Sequence, residues 1–177
     1  MKKITFLLIF ATMFFLNTDT LKAQSYEKGS MVLNLGAGVG GNLATGLGVV
    51  GSFEMGFWPT GDFGVIGLGV VSGYVISTQA FNFYDVDYNE FSIGPRGIYH
   101  FTIIPVENLD VYAAADLLFV TQTTKYQDDF LPNVTNTTVT AGAVAGARYY
   151  FSDFFGVYAE VGYSVTFLSG GVAFKFK

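Results

Sequence analysis

The chain has 177 residues, a formal charge of -5 and no cysteine; half of it is hydrophobic (51%) and only 13% is charged. An acidic chain this sparsely charged is a poor partner for nucleic acid, whose phosphates call for clustered Lys and Arg. The absence of cysteine excludes disulfides and thiolate metal sites. Mean hydropathy is +0.43 and aromatics make up 18%, yet beyond the N-terminus no segment approaches the run of about 18 apolar residues that a spanning helix needs.

Lys2 and Lys3 open the chain, an apolar run extends from Ile4 to Leu16, and Ala23 comes next as a small residue suited to cleavage. This is the layout of a secretory signal peptide over 1–23. The apolar run is too short for an ordinary membrane anchor. Residues 24–29 then read as a short lead and 30–177 as one domain. Removing residues 1–23 leaves six basic and thirteen acidic side chains.

The rest alternates small or polar residues with large apolar ones, the period of a strand rather than a helix. Eight strands are predicted at about 30–40, 47–57, 63–77, 88–102, 110–124, 136–151, 154–163 and 168–176. Most reach the roughly 9 to 11 residues with which a tilted strand crosses a bilayer. The connections alternate too. Residues 58–62, 103–109 and 152–153 make compact turns, whereas 78–87 and 125–135 are longer and rich in Asp, Asn and Thr. Short turns on one rim and longer loops on the other fit an outer-membrane barrel with both termini in the periplasm.

Parity assigns the faces. Val49, Phe53, Met55 and Phe57 fall on one side and Glu54 on the other; Phe91, Ile93, Tyr99 and Phe101 stand opposite Arg96; Val111, Ala113, Leu117 and Phe119 oppose Asp116. Arg148, Glu160 and Lys175 obey the same rule. A base on the lipid face near the midplane costs roughly 2 to 4 kcal/mol, so these six charges are expected to point inward as a neutral network. Arg96 with Asp116 is the first expected pair, and Arg148 with Glu160 and Glu160 with Lys175 are expected diagonal neighbours. Phe57, Trp58, Tyr99, Phe101, Tyr149, Phe151, Phe155, Phe174 and Phe176 gather at the compact-turn rim, where aromatic rings anchor a barrel at headgroup level.

The strand pattern, the segment from Phe155 to Tyr163 and the closing strand from Gly170 to Phe176 resemble the small outer-membrane β-barrels, the eight-stranded type that includes OmpA-like and OmpX-like proteins. The resemblance covers about 30–177. It implies an all-β, up-and-down transmembrane barrel in contact with outer-membrane lipid and lipopolysaccharide. It also implies a closing strand whose aromatic is read by the barrel-assembly machinery; here Phe176 is penultimate, ahead of Lys177.

Three motifs point elsewhere. Gly36 to Gly41 matches G-x-G-x-x-G, but Asn42 to Gly46 leads into another strand rather than the helix that dinucleotide binding requires. His100, the only histidine, with Thr102 resembles the His and Ser pairing of lipid A deacylases, although Thr replaces the nucleophile and the pair sits at the wrong rim; the plainer reading is a polar residue near that rim. Asp85, Asp87 and Glu90, with Asp128 and Asp129, form acidic patches without EF-hand spacing.

The expected role is therefore non-enzymatic, needing no cofactor or metal. It is structural or contact-making at the surface, through Phe81, Phe83, Tyr84, Asp85, Asp87, Tyr126, Asp128, Asp129 and Phe130. The alternatives are a narrow porin-like channel, a lipid-modifying barrel enzyme, and a soluble periplasmic lipocalin-like binder with the apolar parity turned inward.

Overall fold

The computed structural model describes residues 26–42, 46–80, 85–126 and 132–176. Residues 1–23 lie outside these. Eight antiparallel strands run in order: β1 (Met31–Val39), β2 (Leu47–Pro59), β3 (Gly64–Ala80), β4 (Asp85–Phe101), β5 (Leu109–Tyr126), β6 (Val134–Tyr150), β7 (Phe155–Tyr163) and β8 (Leu168–Phe176). Each pairs with its sequence neighbours, and β1 closes on β8 through a nine-pair ladder from Met31↔Phe176 to Val39↔Leu168. Closure leaves no free edge within the barrel wall.

The register sets the shape. Stepping across paired residues from Val139 through Phe119, Ile93, Ser72, Gly51, Leu35, Val172 and Val157 returns to β6 at Tyr149, ten residues further on. That stagger requires strands tilted by roughly 35–45° from the barrel axis.

The faces divide as alternation demands. Val49, Phe53, Phe91, Ile93, Leu117, Phe119, Val139, Val157 and Val161 are exposed on the outer wall, while Glu54, Arg96, Asp116, Arg148 and Glu160 are buried. A soluble binder with its large apolar residues turned inward is thereby excluded. The rim aromatics all lie on the compact-turn side and touch in pairs: Phe57 with Trp58, Tyr99 with Phe101, Tyr149 with Phe151, and Phe155 with Phe174. A β-bulge between Gly56 and Trp58 turns two consecutive rings, Phe57 and Trp58, outward, since the extra residue resets the alternation.

The strands are unequal. β1, β7 and β8 have nine residues each, whereas β3, β4 and β6 have 17 and β5 has 18. Residues expected in loops are strand: Thr78, Gln79 and Ala80 pair with Asp87, Val86 and Asp85, and Thr124 pairs with Val134. Apolar alternation fades here, because Thr78, Gln79, Asp87 and Thr124 are polar, while backbone pairing continues. Above Ile76, Phe91, Phe119 and Val139 the outer face turns to Thr78, Asp87, Asn89, Thr121, Thr123, Thr135 and Thr137, tied by Thr121–Thr137 (3.1 Å), Thr123–Thr135 (3.2 Å) and Thr78–Asp87 (2.7 Å) hydrogen bonds. β3 to β6 therefore continue past the apolar band as a four-stranded projecting sheet.

Candidate functional site

Two regions carry chemistry: the lumen and the projecting sheet. In the lumen, β4 and β5 set Arg96 directly opposite Asp116. The guanidinium donates from Nε to Asp116 Oδ1 (2.8 Å), from Nη2 to Oδ2 (3.0 Å) and from Nη1 to Glu160 Oε1 (2.8 Å) across the barrel. Tyr112 also donates to Glu160 (2.7 Å), and Ser164 donates to Asp116.

A second centre forms around Arg148. Its Nη1 and Nη2 donate to both oxygens of Glu54 (2.8 and 2.9 Å), Nη1 also reaches Asp110 Oδ2 (2.8 Å), and Nε donates to Asn34 Oδ1 (3.1 Å). The guanidinium lies 4.0 Å from the centroid of the Tyr112 ring. His100 stands between the same two carboxylates, with Nδ1 2.8 Å from Asp110 and Nε2 3.2 Å from Glu54, the latter contact lying outside hydrogen-bond angles. A ring whose two nitrogens both face carboxylates is best matched by an imidazolium carrying a proton on each.

Of the expected diagonal neighbours, Arg148 does lie diagonal to Glu160, since Gly146 stands directly opposite Glu160, but the two form no ion pair; the β7–β8 register sets Ser169 opposite Glu160, with Lys175 six residues further along β8. In a narrow barrel the long side chains reach across the lumen instead of along the wall, so Arg148 meets Glu54 and Arg96 meets Glu160. Lys175 stands over the Tyr150 ring at 4.5 Å. The expected balance of three acids and three bases also misses Asp110. Two arginines and one histidine share four carboxylates: Glu54, Asp110, Asp116 and Glu160.

His100 is not a rim residue. It is fully buried, and Tyr26 stacks on it with ring centroids 3.5 Å apart and planes 9° from parallel. Tyr26 comes from the lead, which tucks under the barrel by pairing Gly29 N with Gly56 O and Gly56 N with Ser30 O, both at 2.9 Å. Burial and the neighbouring Glu54 carboxylate push the Tyr26 phenol well above its usual range. Thr102 donates instead to the Asp62 carbonyl in an exposed turn, so no His–Thr dyad forms.

Apolar layers close both ends. Tyr26, Val32, Val65, Tyr150, Tyr158 and Ala173 cluster toward the compact turns. Val50, Val71, Val75, Leu118 and Val120 cluster toward the other end, joined by Val165 from the inward-folded β7–β8 turn. Glu90, expected in an acidic loop patch, is buried in this upper lumen and accepts from Asn42 N (2.9 Å) and Asn42 Nδ2 (3.3 Å), holding the β1–β2 turn over the mouth.

Of the expected surface contacts, Asp87 and Tyr126 lie on strands of the projecting sheet, as does the backbone of Asp85. Phe81, Phe83, Tyr84, Asp128, Asp129 and Phe130 lie outside the described residues. Among the described residues no His, Asp or Glu cluster is arranged to hold a metal ion.

No family model matches the chain, and no curated protein matches it either. Among solved structures it is similar to the N-terminal β-barrel domain of Pseudomonas aeruginosa OprF (21% identity, TM-score 0.52, covering 85% of this chain and 98% of that one). It is also similar to neisserial surface protein A (18%, 0.53, 83% and 96%). A third is Ail, the attachment invasion locus protein of Yersinia pestis, solved with the heparin analogue sucrose octasulfate (12%, 0.52, 85% and 100%). Closed order, inward charges and an aromatic rim agree with these likenesses: the chain has the fold of the small eight-stranded outer-membrane β-barrels of the OmpA and OmpX type.

Proposed function

We propose that this protein is a non-enzymatic outer-membrane barrel with a sealed lumen, whose working surface is the projecting sheet and the loops that cap it. The observation that carries this reading is the inequality of the strands: 17 or 18 residues in β3 to β6 against nine in β1, β7 and β8. A strand needs only about 9 to 11 residues to cross the membrane, so the surplus is displayed in water. The lumen supports a structural rather than conducting role, since apolar clusters lie at both ends and the charges between them are engaged with one another.

In this reading both termini are periplasmic and residues 1–23 are removed during export. Outer-membrane lipid and lipopolysaccharide surround the wall, and β8 with Phe176 engages the barrel-assembly machinery. Phe81, Phe83, Tyr84, Tyr126 and Phe130 act as contact residues in this reading. The likeness to Ail does not bring a polyanion partner with it. The expected loop segments 78–87 and 125–135 carry Asp85, Asp87, Asp128 and Asp129 against Lys125, a balance that repels sulfated ligands and suits neutral or cationic groups.

An epitope inserted between residues 127 and 131 tests the orientation. Intact cells should bind the matching antibody, and the protein should shift in gel mobility on boiling. Labelling only after the outer membrane is permeabilised would overturn the orientation, and regular conductance steps in planar bilayers would overturn the sealed lumen.

A further inference from the structure

On the outer wall, the ladder Leu35–Gly51–Ser72–Ile93 runs across β1 to β4 with two small residues between two bulky ones. The result is a trough of about 530 Å³, floored by Gly51 and Ser72 and walled by Leu35, Val49, Tyr74 and Phe91. The walls are apolar and exposed, from 40% at Tyr74 to 62% at Val49. Both hydroxyls in it, Ser72 Oγ and the Tyr74 phenol, make no hydrogen bond within the described residues.

Its position limits the occupant. The trough starts near mid-wall and climbs toward the projecting sheet, where Ile76 pairs with Asn89 and Thr78 with Asp87 at the upper limit of the apolar band. An unpaired hydroxyl facing hydrocarbon is unfavourable unless a partner reaches it. Tyr74 pairs with Phe91 two residues below Ile76, close to the upper limit of the apolar band, the level at which, in the membrane reading above, lipid tails meet their ester groups. A polar tip at that level with an apolar slot beneath it is the arrangement by which amphipathic rings hold an interface.

We infer that the Gly51–Ser72 trough seats one acyl chain of an outer-leaflet ester lipid, with the Tyr74 phenol donating to its ester carbonyl. The seat rests on the membrane reading proposed above. The rest of the wall meets mobile tails, whereas this slot holds a tail on three sides and supplies dispersion contacts that a convex wall cannot.

The test uses the whole protein in phosphatidylcholine vesicles containing a trace of phosphatidylcholine with a diazirine on its acyl chain. Crosslinks should concentrate several-fold at Leu35, Val49 and Phe91 relative to the small-residue wall of Ala113, Ala143 and Ala145. Gly51→Leu should remove that concentration. A Cβ at Gly51 meets nothing closer than Leu35 Cδ2 at 3.4 Å, so the barrel tolerates it, and Ser72→Leu gives a second filled variant with the same expected result. Tyr74→Phe should weaken the preference while keeping the location. Even labelling around the wall, or labelling indifferent to both leucine variants, would overturn the seat while leaving the membrane reading standing. Absence of lipid labelling anywhere on the wall would sink the membrane reading itself.

Discussion

Arg148→Met is the most informative single change in the lumen. The native guanidinium makes four hydrogen bonds, to both oxygens of Glu54, to Asp110 and to Asn34, and lies over the Tyr112 ring. Methionine preserves most of the volume but leaves Glu54 and Asp110 with His100 as their remaining cation. Breaking a buried pair from one side costs about 3–5 kcal/mol, and two carboxylates are stranded here, so a loss near the upper end is expected. Arg96→Met should cost a comparable amount, about 3–5 kcal/mol, because Asp116 and Glu160 then keep only the neutral donors Ser164 and Tyr112. Lys175→Met should cost less than either, since Lys175 is half-buried beside the Tyr150 ring while both arginines are fully buried. Urea unfolding in lipid vesicles measures all three, read by gel mobility and by the fluorescence of Trp58, the only tryptophan. Equal losses for Arg148→Met and Lys175→Met would refute the idea that the Arg148 centre stabilises the barrel.

Other substitutions probe separate features. Tyr26→Ala removes the ring stacked beneath His100 and should destabilise by about 3–5 kcal/mol, with faster protease cleavage of the lead; unchanged cleavage would mean that the lead is held by its backbone bonds alone. Gly94→Ala should abolish the heat-shifted form, because a Cβ there would collide with the Leu117 carbonyl oxygen, while Gly97→Ala, three residues on but pointing outward with nothing within 4 Å, should insert normally. Equal insertion of the two would contradict the assigned faces. Replacing Thr121, Thr123, Thr135 and Thr137 together by Ser should leave insertion unchanged and loosen only the projecting sheet, seen as faster amide exchange there than in β7 and β8.

The membrane part of the fold is legible because lipid and lumen impose opposite chemistry on alternate residues. Alternation locates every strand, and β8 to the residue, since Phe174 and Phe176 flank Lys175 with no ambiguity of face. Strand ends above the band are harder: 78–80 and 85–87 look like a loop because Thr78, Gln79, Asp85 and Asp87 show no alternation of large apolar residues. Arg96 with Asp116 can be read from equal distances to one turn, but a contact across the lumen, such as Arg148 with Glu54, depends on the stagger of the whole barrel. Tyr26 gives no periodic signal, being a single aromatic in a lead, and Asp110 stands at a predicted strand end where a solvated charge is ordinary. His100 shares the inward parity of Arg96, four residues away, and that signal is sufficient to place it in the lumen.

The surplus length of β3 to β6 also constrains how the surface of this protein can change over evolution. The β3–β4 and β5–β6 hairpins are ladders, so adding or removing one residue from each partner lengthens or shortens the displayed sheet without moving any pair below it. A one-sided change of a single residue within the ladder would instead rotate every side chain beyond it to the opposite face unless a bulge absorbed it. Insertions and deletions in homologues should therefore concentrate above Ile76, Phe91, Phe119 and Val139 and come in matched pairs, letting the displayed part diverge while the lumen stays constant.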